Sequence, residues 1–157
     1  MKKIAIVLSL AVLIAACGTG AGSEVEPTGP TDAKKTDNGN PSYDPNRGEG
    51  KFTKVEISPT LDAAMASTGE KVYSVKCGSC HKTTEEKLVG PGWKGVTSRH
   101  SAEWIMNFVT NTDAMIEKDP KAQAMLEICL VRMPNQNLPD EDARAVYEFM
   151  RKNDGVK

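Results

Sequence analysis

The pentapeptide Cys77-Gly78-Ser79-Cys80-His81 constrains this chain more than any other feature. Two thiols separated by two residues, with a histidine directly after the second, have the C-x-x-C-H spacing that attaches a c-type haem. Each thiol can add across one haem vinyl group and tie the macrocycle to the backbone. The imidazole is then delivered to the iron from one side of the ring. A bare C-x-x-C also suits a redox dithiol or half of a zinc site. No strand pattern precedes the motif to suggest a thioredoxin-like unit, and no second C-x-x-C supplies the missing zinc ligands. The motif is therefore read as the site of one covalent haem c, held by Cys77, Cys80 and His81.

The first residues say where such a group is loaded. Lys2 and Lys3 precede a short apolar run from Ile4 to Ala16, too short to span a bilayer comfortably and typical of a signal peptide. Its end, Leu13-Ile14-Ala15-Ala16-Cys17, resembles the lipobox of bacterial lipoproteins, in which the cysteine is acylated and becomes the mature N-terminus. An ordinary signal peptide cut near Ala16 is the alternative. Residues 1–16 are thus expected to be removed and Cys17 to carry the lipid anchor, since several acyl chains hold stably where one does not. The expected location is periplasmic and membrane-tethered, with inner or outer membrane left open. Of four cysteines, one then goes to lipid and two to haem, so Cys129 has no partner for an internal disulfide and reads as a small buried hydrophobe. Without Lys2 and Lys3, 18 basic side chains face 21 acidic ones, near −3. Nothing in that balance suggests nucleic acid, and a partner is to be found by shape and apolar contact as much as by charge.

Residues 18 to about 50 are rich in Gly, Pro, Thr, Ser, Asn and Asp, a composition that cannot offset the entropy of ordering. A flexible tether is expected, with a reach of about 30 Å. Phe52, Val55 and Ile57 alternate in a following arm, so residues 17–57 are read as tether and arm and residues 58–157 as the folded domain. That domain is near the lower size limit for a self-sufficient core, and a covalently held haem would supply much of it. A first helix is expected from Pro59 or Thr60 to Lys76, with Ser58 as its cap. A second spans Ala102 to Thr110 after Ser101, with Ile105, Phe108 and Val109 on one face. A shorter helix runs from Pro120 to about Leu130. The last runs from Asp140 to Lys152, entered through Pro139, with carboxylates first and Arg151-Lys152 at its end. Strand patterns are nearly absent, so the fold class is all-α.

These residues together resemble class I, mitochondrial-type mono-haem cytochromes c, in a bacterial lipoprotein form, over the span from about Pro59 to Asn153. Gly69 and Tyr73 fall at the family's glycine and aromatic positions on the first helix. The resemblance implies that the last helix crosses closely at Gly69, with Val146 and Phe149 as partners, in a small fold of about three to five helices around the haem. Val89-Gly90-Pro91-Gly92-Trp93-Lys94-Gly95-Val96 resembles the family's G-P-x-L-x-G segment, with Trp93 where leucine is usual. It implies that Pro91 sits against the haem ligand and that a neighbouring backbone carbonyl accepts the Nδ1–H of His81. Met133-Pro134 ahead of Asn137-Leu138-Pro139-Asp140 resembles the family's approach to the last helix and implies Met133 as sixth ligand. Met106, Met115, Met125 and Met150 sit on helical stretches, where core filling is the ordinary role. His100 or an open position are the alternatives. His100 lies in a polar turn and is expected to be exposed, with Arg99 either near a haem propionate or solvated.

Histidine and methionine together saturate the iron, which suits one-electron transfer and not substrate binding. The expected function is therefore a membrane-tethered periplasmic electron carrier, not an enzyme, and a monomer. The resemblance implies a quinol-oxidising complex as donor and a terminal oxidase or nitrogen-oxide reductase as acceptor. A haem peroxidase or small-ligand reductase, or a ligand sensor or fixed subunit of a larger redox complex, are the competing readings.

Overall fold

Single side chains cap three of the helices, at Asp62, Ser101 and Asp119. A computed structural model describes residues 43–157, so Cys17, the lipobox and the first part of the tether lie outside the described residues. The helices in chain order are α1 (Ala63–Lys76), α2 (Val96–Arg99), α3 (Ala102–Thr110), α4 (Thr112–Lys118), α5 (Pro120–Cys129) and α6 (Asp140–Asn153). Among the described residues the all-α class holds, with six helices where about three to five were expected and no strand beyond an isolated bridge between His81 and Lys87. Ser101 caps α3 by accepting from the Trp104 amide, and Asp119 caps α5, which starts at Pro120. The two helices not foreseen are short. The four-residue α2 follows Gly95 (φ +72°), and only Asn111 separates α4 from α3.

The first helix starts later than expected, because its cap is Asp62 and not Ser58. Asp62 Oδ1 accepts from the Met65 amide, whereas Ser58 Oγ holds the Thr60 amide in a local turn. The intervening amides are taken by distant groups. Leu61 N–H donates to the Lys157 carbonyl at 3.0 Å, and Asp62 N–H to Glu148 Oε1 at 2.9 Å. A segment tied to the far end of the chain cannot also wind into α1.

Helix α1 packs along α6, and the approach depends on Gly69. A Cβ there would overlap the Ala145 carbonyl and lie 2.9 Å from Phe149 Cβ. The close crossing is as expected, with the Ala145 backbone rather than the side chain of Val146 as its second partner. Val146 is nevertheless fully buried in the core beside it.

Residues 43–50, where tether was expected, are bonded to the folded domain, and the arm that follows packs on it as expected. Tyr43 donates its hydroxyl to Asp119. Fully buried Asn107 donates to the carbonyls of Arg47 and Phe52 and accepts the Phe52 amide. Gly50 lets the strap pass so close that a Cβ would lie 2.6 Å from Asn107 Cγ. Phe52, Val55 and Ile57 then pack on the core, as their alternation suggested.

Candidate haem-binding site

The C-x-x-C-H turn grows directly out of the end of α1. Cys77 N–H still bonds the Tyr73 carbonyl at 2.9 Å, and the amides of Cys80 and His81 fold back onto the Cys77 carbonyl at 3.0 and 2.9 Å. Both thiols and the imidazole are thereby carried on one tight turn. Cys77, Cys80 and Cys129 are all free thiols. Burial pushes the Cys77 thiol up to about 11, with Lys76 pulling the other way. A thiol held protonated at neutral pH is the reverse of the activated thiolate that dithiol exchange uses. Among the described residues, no three His, Cys, Asp or Glu side chains converge as a zinc site would need.

The loop that follows orients His81. Its Nδ1 lies 2.9 Å from the Pro91 carbonyl, which can only accept, so Nδ1 carries the proton and Nε2 is the nitrogen left for a metal. The accepting carbonyl is thus Pro91's own. Burial lowers the imidazole's affinity for a second proton, partly offset by the Pro91 bond, so a neutral ring is favoured. Cys80's carbonyl receives the amides of Val89 and Gly90, drawing the loop across the ring. A Cβ on Gly90 would sit 2.7 and 2.8 Å from the two ring nitrogens. Tyr73 donates to the His81 carbonyl at 2.6 Å. Trp93 is buried, its ring centroid 4.9 Å from Tyr73 and 5.6 Å from His81, so it fills the space behind the motif.

Two cavities share His81, Pro91, Phe108, Met125 and Met133 as walls and bound one cleft in front of the motif. The space on the Cys80 side is about 570 Å³, open solvent at its mouth included. Met133 reaches the cleft from the segment between Leu130, which is left-handed at φ 59°, and α6. Met125 reaches it from α5, and its sequence position had suggested only core filling. Met106, Met115 and Met150 are buried core residues on α3, α4 and α6, although Met150 also borders the cleft. Cys129 is half-buried in the wall and not enclosed.

His100 departs from the expectation of an exposed turn residue. Its ring stacks on Trp104, centroids 4.0 Å apart and planes 16° apart, and its Nδ1 is buried without any partner. Trp104, four residues on, was the available signal, because α3 turns that indole back over the residue before its cap. Arg99 is exposed and donates to the carbonyls of Lys94 and Gly92, at 2.6 and 3.3 Å, at the edge of the same cleft. Two thiols on one turn, a neutral imidazole with Nε2 spare, a thioether on the same cleft, apolar walls and an unsatisfied polar nitrogen fit a covalent haem.

The comparisons with known proteins agree with this geometry. The sequence profile described as cytochrome c matches residues 66–154. A cytochrome c from Rhodothermus marinus superposes with a TM-score of 0.65 at 30% identity, covering 67% of this chain and 90% of that one. An engineered form of the Rhodothermus marinus protein gives a TM-score of 0.64 at the same identity and coverage. No curated protein sequence matches significantly.

Proposed function

This chain belongs to the cytochrome c family, a haem-based electron carrier, and from that premise we propose a membrane-tethered periplasmic shuttle ligated by His81 and Met133. When bound through Cys77 and Cys80, the haem supplies one-electron redox chemistry. The single observation that carries the ligand set is that His81, fixed by its 2.9 Å bond to Pro91, borders the same cleft as Met133. The Pro91 carbonyl holds the imidazole in one tautomer and raises the basicity of Nε2. Met133, as a thioether ligand, favours the reduced state and raises the potential. Phe108, Met125 and their neighbours give the cleft apolar walls, so an electron would leave a bound haem with little rearrangement.

If His81 and Met133 both hold the iron, a bound haem would leave peroxide or another small ligand no place to bind, which favours the carrier over a peroxidase. Donor and acceptor are proposed to be a quinol-oxidising complex and a terminal oxidase or nitrogen-oxide reductase, with Cys17 acylated as the anchor. The test is Met133→Ala in the holoprotein. It should lose the sulfur–iron band at the red edge of the visible spectrum, fall in potential and admit cyanide or carbon monoxide. Met115→Ala, at a fully buried position on α4, should keep the band and cost about 2–5 kcal/mol of stability. An unchanged spectrum in the Met133 variant would overturn the ligand assignment.

A further inference from the structure

A buried imidazole nitrogen with no partner is rare enough to need an explanation. His100 ends α2, its backbone amide closing that turn on the Val96 carbonyl. Its ring is clamped against Trp104, which in turn stacks on Phe108 at 5.1 Å. The neighbouring polar groups are already committed. Trp104 Nε1–H donates to Asp119 at 3.0 Å, and Asp119 also takes the Tyr43 hydroxyl and the Ala122 amide. The chain therefore offers His100 Nδ1 nothing to bond, yet shields it from water.

The cavity that His100 borders also contains His81 and Met133. Apart from His81, the ionisable side chains on its wall are Arg99 and His100, adjacent in sequence. On the Cys80 side the ionic group is Arg132, which is committed to Asp113 and Glu117 at 3.0 and 3.5 Å. A haem is apolar except for its two propionate carboxylates, and these need donors.

We infer that His100 seats a haem propionate, its Nδ1–H donating to the carboxylate while the Arg99 guanidinium supplies counter-charge. The inference rests on the cytochrome reading above and adds a residue that the attachment motif does not include. Burial, together with the charges of Lys121 and Arg99 and against that of Asp119, pushes the His100 imidazole down to about 4 in the protein alone. The ring is then neutral, and its one N–H can sit on the buried nitrogen. A bonded donor withdraws electron density from the carboxylate and makes the ferrous form easier to reach.

The experiment uses holoprotein with ¹⁵N-labelled histidine in the diamagnetic reduced state. A proton on His100 Nδ1 that exchanges slowly with water and shows a cross-peak to propionate methylene protons is expected. His100→Phe keeps the stack without the donor, and His100→Asn returns a donor near the same place. At a fixed potential, the ferric-to-ferrous ratio should rise at least threefold in His100→Phe with the sulfur–iron band intact, and largely recover in His100→Asn. A rapidly exchanging or unprotonated Nδ1 with no cross-peak, or a ratio unchanged within twofold in His100→Phe, overturns the assignment. If His100→Phe does not fold, the spectrum of the unmodified protein decides alone. Failure of the carrier reading is recognised separately, by an unmodified protein without covalent haem or without the methionine band.

Discussion

Gly90 carries the tightest requirement at the scale of single residues. The backbone must cross the His81 ring where a methyl group would lie 2.7–2.8 Å from its nitrogens, so only glycine allows both the Pro91 bond and the ring position. Gly90→Ala should therefore destabilise the holoprotein by about 1–3 kcal/mol, as overpacking does, and shift the haem spectrum. Gly78→Ala makes the comparison, because its Cβ would meet Tyr73 at an ordinary 3.5 Å and should be nearly neutral. Denaturant unfolding followed at the haem absorbance separates the two. Equal losses would mean that the ring is not held by this loop.

Between elements, the crossing of α1 and α6 is secured by Glu148, which is fully buried on α6. It pairs with Arg144 and Arg151, each at 2.6 Å, and accepts the Asp62 amide at the start of α1. Burial alone would raise its carboxyl, but the bonds from Arg144, Asp62 and Arg151 outweigh it and hold the pKa below the usual value. A depressed folded pKa means that the unfolded chain binds the proton first. The contribution to stability is then complete above about pH 4.3 and is lost as pH falls through the folded value. Unfolding midpoints measured from pH 7 downward should drop on acidification, and the drop should be shallower in Glu148→Gln. Glu148→Ala should cost about 3–5 kcal/mol at pH 7, since two arginines lose their buried partner.

At the scale of the whole molecule, the proposed anchor at Cys17 and the attachment motif at Cys77 are 60 positions apart in the chain. Among the described residues, no helix is long and apolar enough to cross a membrane. If Cys17 is the anchor, Cys17→Ser should appear as soluble periplasmic protein or stay on its uncleaved signal, with an unaltered haem spectrum. Fractionation followed by haem staining reads both. Protein equally membrane-bound after that change would contradict the lipid anchor. With a balance near −3 once Lys2 and Lys3 are removed, electron delivery should depend only modestly on salt unless side chains of one sign gather at the docking face.

What the chain determined without its tertiary structure is what local chemistry controls. The C-x-x-C-H turn, the α3 cap at Ser101, the proline entries of α5 and α6, and Gly69 all act within a few residues or through one absent side chain, so their meaning survives in the sequence. The rest required partners far away in the chain. Residues 43–50 have the composition of a linker, yet Asn107 and Asp119 hold them from sixty or more positions downstream. The α1 start was moved to Asp62 by Glu148, 86 residues on. His100 reads as a polar turn residue until Trp104 covers one face of it and the cleft lies against its ring. Composition and periodicity report a residue's preference, whereas burial is decided by what the fold places against it.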